Sequence, residues 1–176
     1  MAELPPIKDY EDVSVYGLDA AAEGDLLSVQ NECVFMWANK AGWPVGVIMS
    51  YVFRDGRFWI TGSRQRARFS AIARDPRVSI CVTSKGTTLG PNKTVTYKCN
   101  AIMHDDQGTK DWFYPALSAV LRPDSEKGQR QFAAFLDSPR RVIVECVPVH
   151  GGRIGYDGAK MGRATQAALK AERSLT

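Results

Sequence analysis

The sequence predicts a mainly β (α+β) fold: six antiparallel strands closed or nearly closed into a barrel, with helices at its periphery. Three observations carry this. Six runs rich in β-branched and aromatic residues recur between residues 31 and 149. They are joined mainly by hairpins and loops, with helical patterns inserted between some of them, which is not a βαβ layout. One junction is an Asp-Gly pair, Asp55-Gly56, lying directly between two such runs and therefore a strong hairpin signal.

Asp19 has the side chain of an N-cap, and DAAAEGDLLSVQ, 19 to 30, reads as a short helix behind it. NECVFMWA, 31 to 38, is the first strand and ends at NKAGWP, which has turn chemistry. PVGVIMSYVF, 44 to 53, is the second, and RDG turns it back into RFWIT, 57 to 61. RVSICVTS, 77 to 84, and TVTYKCNAIMH, 94 to 104, flank the polar loop KGTTLGPNK. Residues 109–121 and 124–136 read as helices, with Pro115 expected to kink or restart the first. RRVIVECVPV, 140 to 149, is the sixth strand, and 162–176 is a loose polar helix or tail. In PVGVIMSYVF, Val45, Val47 and Met49 share one face while Ile48 and Val52 share the other. One face can fill a barrel; the other needs cover, and a homodimer supplies it.

At 176 residues the chain suits one domain, 1–176, with an arm over 1–18 and the 162–176 tail at its periphery. Hydrophobic residues make up 44% and charged ones 24%, ordinary for a globular protein. A net charge of +4 favours an anionic ligand but falls short of a nucleic-acid coat, so no nucleic-acid partner is expected. No apolar run is long enough to span a bilayer, and the acidic, proline-bearing N-terminus resembles no targeting peptide; the expectation is a cytoplasmic protein with no membrane partner. The cysteines at 33, 81, 99 and 146 form no CxxC pair, and the histidines stand at 104 and 150. Reduced, buried thiols and no metal site are the expectation.

The segment between the third and fourth strands raises a question. Ser63, read as an N-cap, is followed by Arg64, Arg66 and Arg68, and the helix ends before Arg74-Asp75-Pro76. Cations are out of place at a helix N-terminus, which carries roughly half a positive charge of its own. A solvated basic face opposite Phe69, Ile72 and Ala73 is one reading. The other is an anion site: free N–H groups, the hydroxyls of Thr61 and Ser63, and guanidinium forks form a phosphate cradle, and a bound dianion removes the dipole penalty.

The turn-strand at GWPVGVIMS, the hairpin at DGRFWIT, the short basic helix and ARDPRVSICV together resemble the pyridoxamine 5'-phosphate oxidase-like superfamily of flavin-binding split β-barrels, which includes flavin and deazaflavin oxidoreductases. TVTYKCNAIMHDD and RRVIVECVPVHGGRIGYDGAKM are similar to its closing strands, so the resemblance covers about 26–161. It implies a six-stranded split barrel whose cofactor, FMN or alternatively a deazaflavin coenzyme, lies in a groove at a homodimer interface. Thr61, Ser63, Arg66 and Arg68 would hold the phosphate, Val47, Ile48, Met49 and Ser50 would run along the ring, and Lys93, which opens the later basic strand motif, would also bind the cofactor. Arg68 replaces the usual phosphate-site lysine, and Cys99 stands where glycine is common. The Arg-x-His pattern of vitamin B6 oxidases is missing, since His150 and Arg153 occur in the opposite order.

The resemblance therefore implies an oxidoreductase acting on a small organic substrate through the flavin, with no catalytic side chain required. Trp37, Trp112 and Tyr156 are candidates to line the substrate pocket, with Trp43 and Tyr114 behind them; core or interface packing is the simpler explanation of each. Asp157 and Lys160 are read as a local ion pair or as a reach toward a partner's cofactor. A deazaflavin's acidic tail would suit Arg54, Arg57, Arg64 and Arg66. A non-enzymatic flavin- or haem-binding module and a cofactor-free basic interaction protein are the competing classes.

Overall fold

The computed structural model describes residues 14–90 and 92–173. Its strands are β1 (Glu32–Ala38), β2 (Pro44–Ser50), β3 (Val52–Arg54), β4 (Arg57–Ser63), β5 (Arg77–Thr83), β6 (Lys93–His104) and β7 (Arg141–Asp157). Its α-helices are α1 (Ala20–Val29), α2 (Ala67–Arg74), α3 (Gln107–Leu121), α4 (Glu126–Leu136) and α5 (Gly158–Arg173). All strand pairs are antiparallel, in the order β2-β1-β5-β6-β7-β4-β3.

There are seven strands, not six, because the run PVGVIMSYVF changes partner part-way. Pro44 to Ser50 pairs with β1, Val52 to Arg54 pairs with β4, and Tyr51 lies between. β2 and β3 are thus the two edges of one sheet, yet a single residue joins them. A sheet whose edges are one residue apart must curl on itself. Tyr51 is 2% exposed, its ring packed edge-on against Phe58 at 5.4 Å.

Alternation along the strands sends one set of side chains inward. Phe35, Phe58, Ile60, Ile80, Val82, Val95, Val142 and Val144 are fully buried there. α2 closes one end of the barrel with Phe69, Ala71 and Ile72. Outside the sheet, α3 and α4 cover β7 and β4 through a second cluster, in which Phe113, Tyr114 and Leu117 bury Ile143. α3 continues through Pro115 without a break.

Other boundaries depart from expectation. Ser63 is not a helix cap: it ends β4, and α2 begins after Arg66, whose side chain makes no capping bond. β7 runs eight residues past Val149 to Asp157, folded around a bulge in which residues 149–152 stand opposite the single residue Lys98. Gly151 takes φ +69°, and a Cβ on Gly152 would sit 2.6 Å from Val149 Cγ2. The tail is helical as far as Arg173, and Ala164 packs in it at 6% exposure. Residues 1–13 of the expected arm and 174–176 of the tail lie outside the described residues. The rest of the arm is anchored: Tyr16 and Leu18 are buried, and Arg153 Nη2 donates to the Leu18 carbonyl at 2.6 Å.

Cys33, Cys99 and Cys146 are buried free thiols, and Cys81 is half-buried on the outer face. Burial pushes the Cys33 and Cys99 thiols up to about 12 and raises Cys146 as well. A thiol modifies only as thiolate. The folded protein should therefore react with a disulfide reagent at no more than one cysteine per chain at pH 8, and at all four in guanidinium. Rapid reaction of two or more native thiols would contradict this packing.

Candidate functional site

The partner change at Tyr51 creates an opening. β3 and β4 pair at Val52–Trp59, Phe53–Phe58 and Arg54–Arg57. Continued past Tyr51, that register would set Thr61 against Ser50 and Ser63 against Ile48. Instead β2 pairs only with β1, and Ile60 to Ser63 pairs only with β7, so the two strands splay apart. Half the backbone N–H and C=O groups of each lip lack a strand partner. On the β2 lip Ile48 is 70% exposed, Val47 and Ser50 are half-buried, and Met49 turns into the core. Thr61 and Ser63 stand on the β4 lip, with α2 starting just beyond them.

The three arginines meet different fates. Arg64 is tied down: its Nη2 donates to Asp105 Oδ2 at 2.7 Å, and its backbone N–H to the Arg140 carbonyl at 2.7 Å. Arg66 is exposed at the N-cap of α2 and forms no ion pair among the described residues. Arg68 folds back, its guanidinium carbon 5.3 Å from the centre of the Phe69 ring. Its Nε is buried without a hydrogen-bond partner, and burial, with Arg66 beside it, pushes its pKa down. Room for this guanidinium exists because residue 62 is glycine; a Cβ there would lie 3.0 Å from Arg68 Nη2 and 2.9 Å from two atoms of the Phe69 ring. The Thr61 hydroxyl donates to the Val142 carbonyl at 2.8 Å, while that of Ser63 makes no bond among the described residues. Two crowded cations, an idle hydroxyl and the uncapped first turn of α2 are the donor set of an anion site.

The split thus gathers Val47, Ile48, Met49, Ser50, Thr61, Ser63, Arg66 and Arg68. The remaining expected residues lie elsewhere in the chain. Lys93 opens β6 beside Thr83, at the far end of β5 from α2, roughly 20 Å along the strand; its Nζ donates to the Leu89 carbonyl at 3.1 Å. Tyr156 is at that same far end, opposite Thr94, with its hydroxyl 3.0 Å from Met161 Sδ. Trp37 is a core residue stacked on Phe35 at 5.7 Å. Trp112 sits on α3, edge-on to Trp59 at 4.8 Å and beneath the Arg54 guanidinium at 4.5 Å. Asp157 and Lys160 do not form the ion pair read from sequence. Asp157 caps α5 through the Ala159 and Lys160 N–H groups, and Lys160 Nζ donates to Asp19 and to the Gly17 carbonyl.

One polar cluster was missed. Glu145, 4% exposed on β7, pairs with Arg57 of β4 and lies 2.8 Å from His104 Nε2 of β6. Its signal was present as a lone carboxylate inside the apolar run RVIVECV. Strand register brings the three residues together, and register cannot be read from composition. Among the described residues no group of three or more His, Cys, Asp or Glu side chains forms a metal-ligand set. None of the described helices is long and apolar enough to cross a membrane.

The family model of pyridoxamine 5'-phosphate oxidase matches residues 25–146, more than two thirds of the chain. The chain belongs to that family. The matched region contains both lips of the split and α2, and ends within β7 before the bulge. Among solved structures, a conserved hypothetical protein from Mycobacterium tuberculosis is similar at 17% identity and TM-score 0.69, over 82% of this chain and 88% of that one. An F420 reductase is similar at 16% identity and TM-score 0.55, over 72% and 92%. HutZ, the haem storage protein from Vibrio cholerae, is similar at 12% identity and TM-score 0.57, over 78% and 96%. These likenesses show the shared fold. No curated protein matches the chain.

If Gly62 is what leaves room for Arg68, Gly62→Ala should destabilise the protein by about 1–3 kcal/mol, as overpacking does. Urea unfolding checks this, and an unchanged midpoint would mean that the guanidinium is not seated against residue 62.

Proposed function

We propose that this pyridoxamine 5'-phosphate oxidase family member is an FMN-dependent oxidoreductase that binds its cofactor in the split between β2 and β4. The observation carrying this is the unpaired Arg66 and Arg68 at the open end of the split. FMN fits the residues present: its phosphate supplies the acceptor that Arg68 Nε, the Ser63 hydroxyl and the first turn of α2 lack. When bound, FMN supplies two-electron redox chemistry at its ring. Arg66 and Arg68 would anchor and neutralise the phosphate, and the free edge of β2 at Val47 to Ser50 would orient the ring through backbone groups. Met49, turned into the core, holds that edge in place.

A deazaflavin with an acidic tail is the second reading, and the F420 reductase likeness supports keeping it. Four arginines were expected to meet such a tail. Three are occupied by carboxylates, Arg54 with Asp55, Arg57 with Glu145 and Arg64 with Asp105, leaving Arg66. One free cation of those four offers little to a polyanionic tail.

The protein is further proposed to act as a homodimer. Strand register aligns Ile48, Val34, Cys81, Thr96 and Ile154 in one row across five strands of the outer face. Ile48 and Ile154 are 70% and 64% exposed, so the row offers an apolar, self-complementary surface at the edge of the split. A second copy there would bring new residues to the cofactor.

Purified protein should take up FMN and show a bound-flavin absorption band. Uptake of deazaflavin alone would move the assignment to the second reading, and a haem Soret band would replace both. Arg68→Ala should weaken FMN binding by about 1.5–3 kcal/mol, the worth of a charged hydrogen-bond partner, or about 10- to 150-fold. Arg68→Lys should recover most of it, and unchanged affinity in the alanine variant would overturn the cradle. The folded protein should have about twice the 19.4 kDa chain mass, and Ile154→Glu should shift it toward monomer; a wild-type monomer would refute the interface.

A further inference from the structure

A second concavity among the described residues is separate from the split. It is a groove of about 550 Å³ on the outer face, spanning β1, β5 and β6. Its walls are apolar: Met36, Ala38 and Pro44 on one side, Val149 on the other. Its floor is a block of four polar side chains, Arg77 and Ser79 from β5 beside Asn100 and Lys98 from β6. Register pairs Ser79 with Lys98 and Arg77 with Asn100, so all four project to the same face within about 5–7 Å of their neighbours.

The charges within the groove do not cancel. Arg77 is held by Asp75 through two bonds, Nε to Oδ1 at 2.9 Å and Nη2 to Oδ2 at 2.7 Å, which also pull the Asp75 carboxyl down to about 2. That pair is satisfied at any ordinary pH. Among the described residues Lys98, Ser79 and Asn100 have no side-chain bond, leaving one ammonium and two neutral donors beside an apolar trough.

Both rims are preorganised. On the β1–β2 side, Asn39 Oδ1 accepts from the Ala41 and Trp43 N–H groups and Gly42 takes φ +83°, fixing a turn that presents Trp43 at 71% exposure. On the β7 side stands the bulge of residues 149–152, whose Gly152 packs so closely on Val149 and Lys98 that it has no room for a side chain.

We propose that this groove binds a small planar molecule made of an apolar ring body and a carboxylate. The carboxylate sits on Lys98, Ser79 and Asn100, and the ring lies along Met36, Pro44 and Val149. Pro44 begins the same strand, β2, whose other edge forms the lip of the split. Naming aromatic carboxylic acids as the substrate class rests on the flavin reading; the binding itself rests on the groove alone.

The test uses cofactor-free full-length protein and 2-naphthoate, followed by amide chemical shifts, with 2-naphthalenemethanol as the uncharged control. Naphthoate should shift the amides of Met36, Ser79, Lys98 and Asn100. It should bind more tightly than the alcohol, and Lys98→Gln should weaken it about tenfold, the loss of one charged partner. No binding at millimolar naphthoate, shifts confined to other surfaces, or a Lys98→Gln variant with wild-type affinity would each overturn the proposal. FMN uptake measured on the same samples separates the two readings. Naphthoate failing while FMN binds removes only the groove, and FMN failing while naphthoate binds removes only the flavin.

Discussion

The structure turns on one residue at which a strand changes sides. From Pro44 to Ser50 the chain bonds to β1; from Val52 to Arg54 it bonds to β4, and Tyr51 is all that lies between. That junction closes a seven-stranded sheet into a barrel without hydrogen-bonding its two edges to each other. A fully closed barrel would have no free edge. Here Val47 to Ser50 and Ile60 to Ser63 keep theirs, and α2 begins just beyond the β4 edge. Tyr51, buried against Phe58, holds the hinge of that opening in place.

The electrostatics of the opening follow from which cations found partners during folding. Arg54, Arg57 and Arg64 each have a carboxylate, and two of these pairs are exposed and worth little to stability. The Arg57–Glu145 pair differs, because Glu145 is enclosed by β4, β6 and β7, with His104 on its other oxygen. Arg66 and Arg68 remain unpaired, Arg68 with a buried, unbonded Nε. Such an atom costs about 1–3 kcal/mol when nothing accepts from it. A phosphate in the split would recover that cost and relieve the repulsion between the two cations together.

Much of this was legible in the sequence. The Asp55-Gly56 hairpin, the strands around it and the halt of α2 before Pro76 are local events with local signals, and the structure follows them. PVGVIMSYVF is an unbroken apolar run, and nothing in its composition marks Tyr51 as the point where the hydrogen-bonding partner changes. The β7 bulge escaped for a related reason: Gly151-Gly152 reads as the end of a strand, whereas it is an interruption within one. Ser63 has the side-chain chemistry of a cap, but pairing with Arg141 keeps it in the strand. Val47 to Ser50 and Thr61 to Ser63 were named through the family resemblance alone, since no local signal marks a free sheet edge. Trp37, Trp112 and Tyr156 share no site within one chain, because aromatic character signals burial more reliably than function.

Hydrogen exchange of the backbone with and without saturating FMN tests the split most directly. Occupation of the opening should slow exchange at residues 45–50 on one lip and 61–69 on the other, the two segments changing together. The α3–α4 layer and the β7 bulge should be unaffected. Protection confined to another surface, or protection of only one lip, would contradict a cofactor site formed by the parting of β2 from β4.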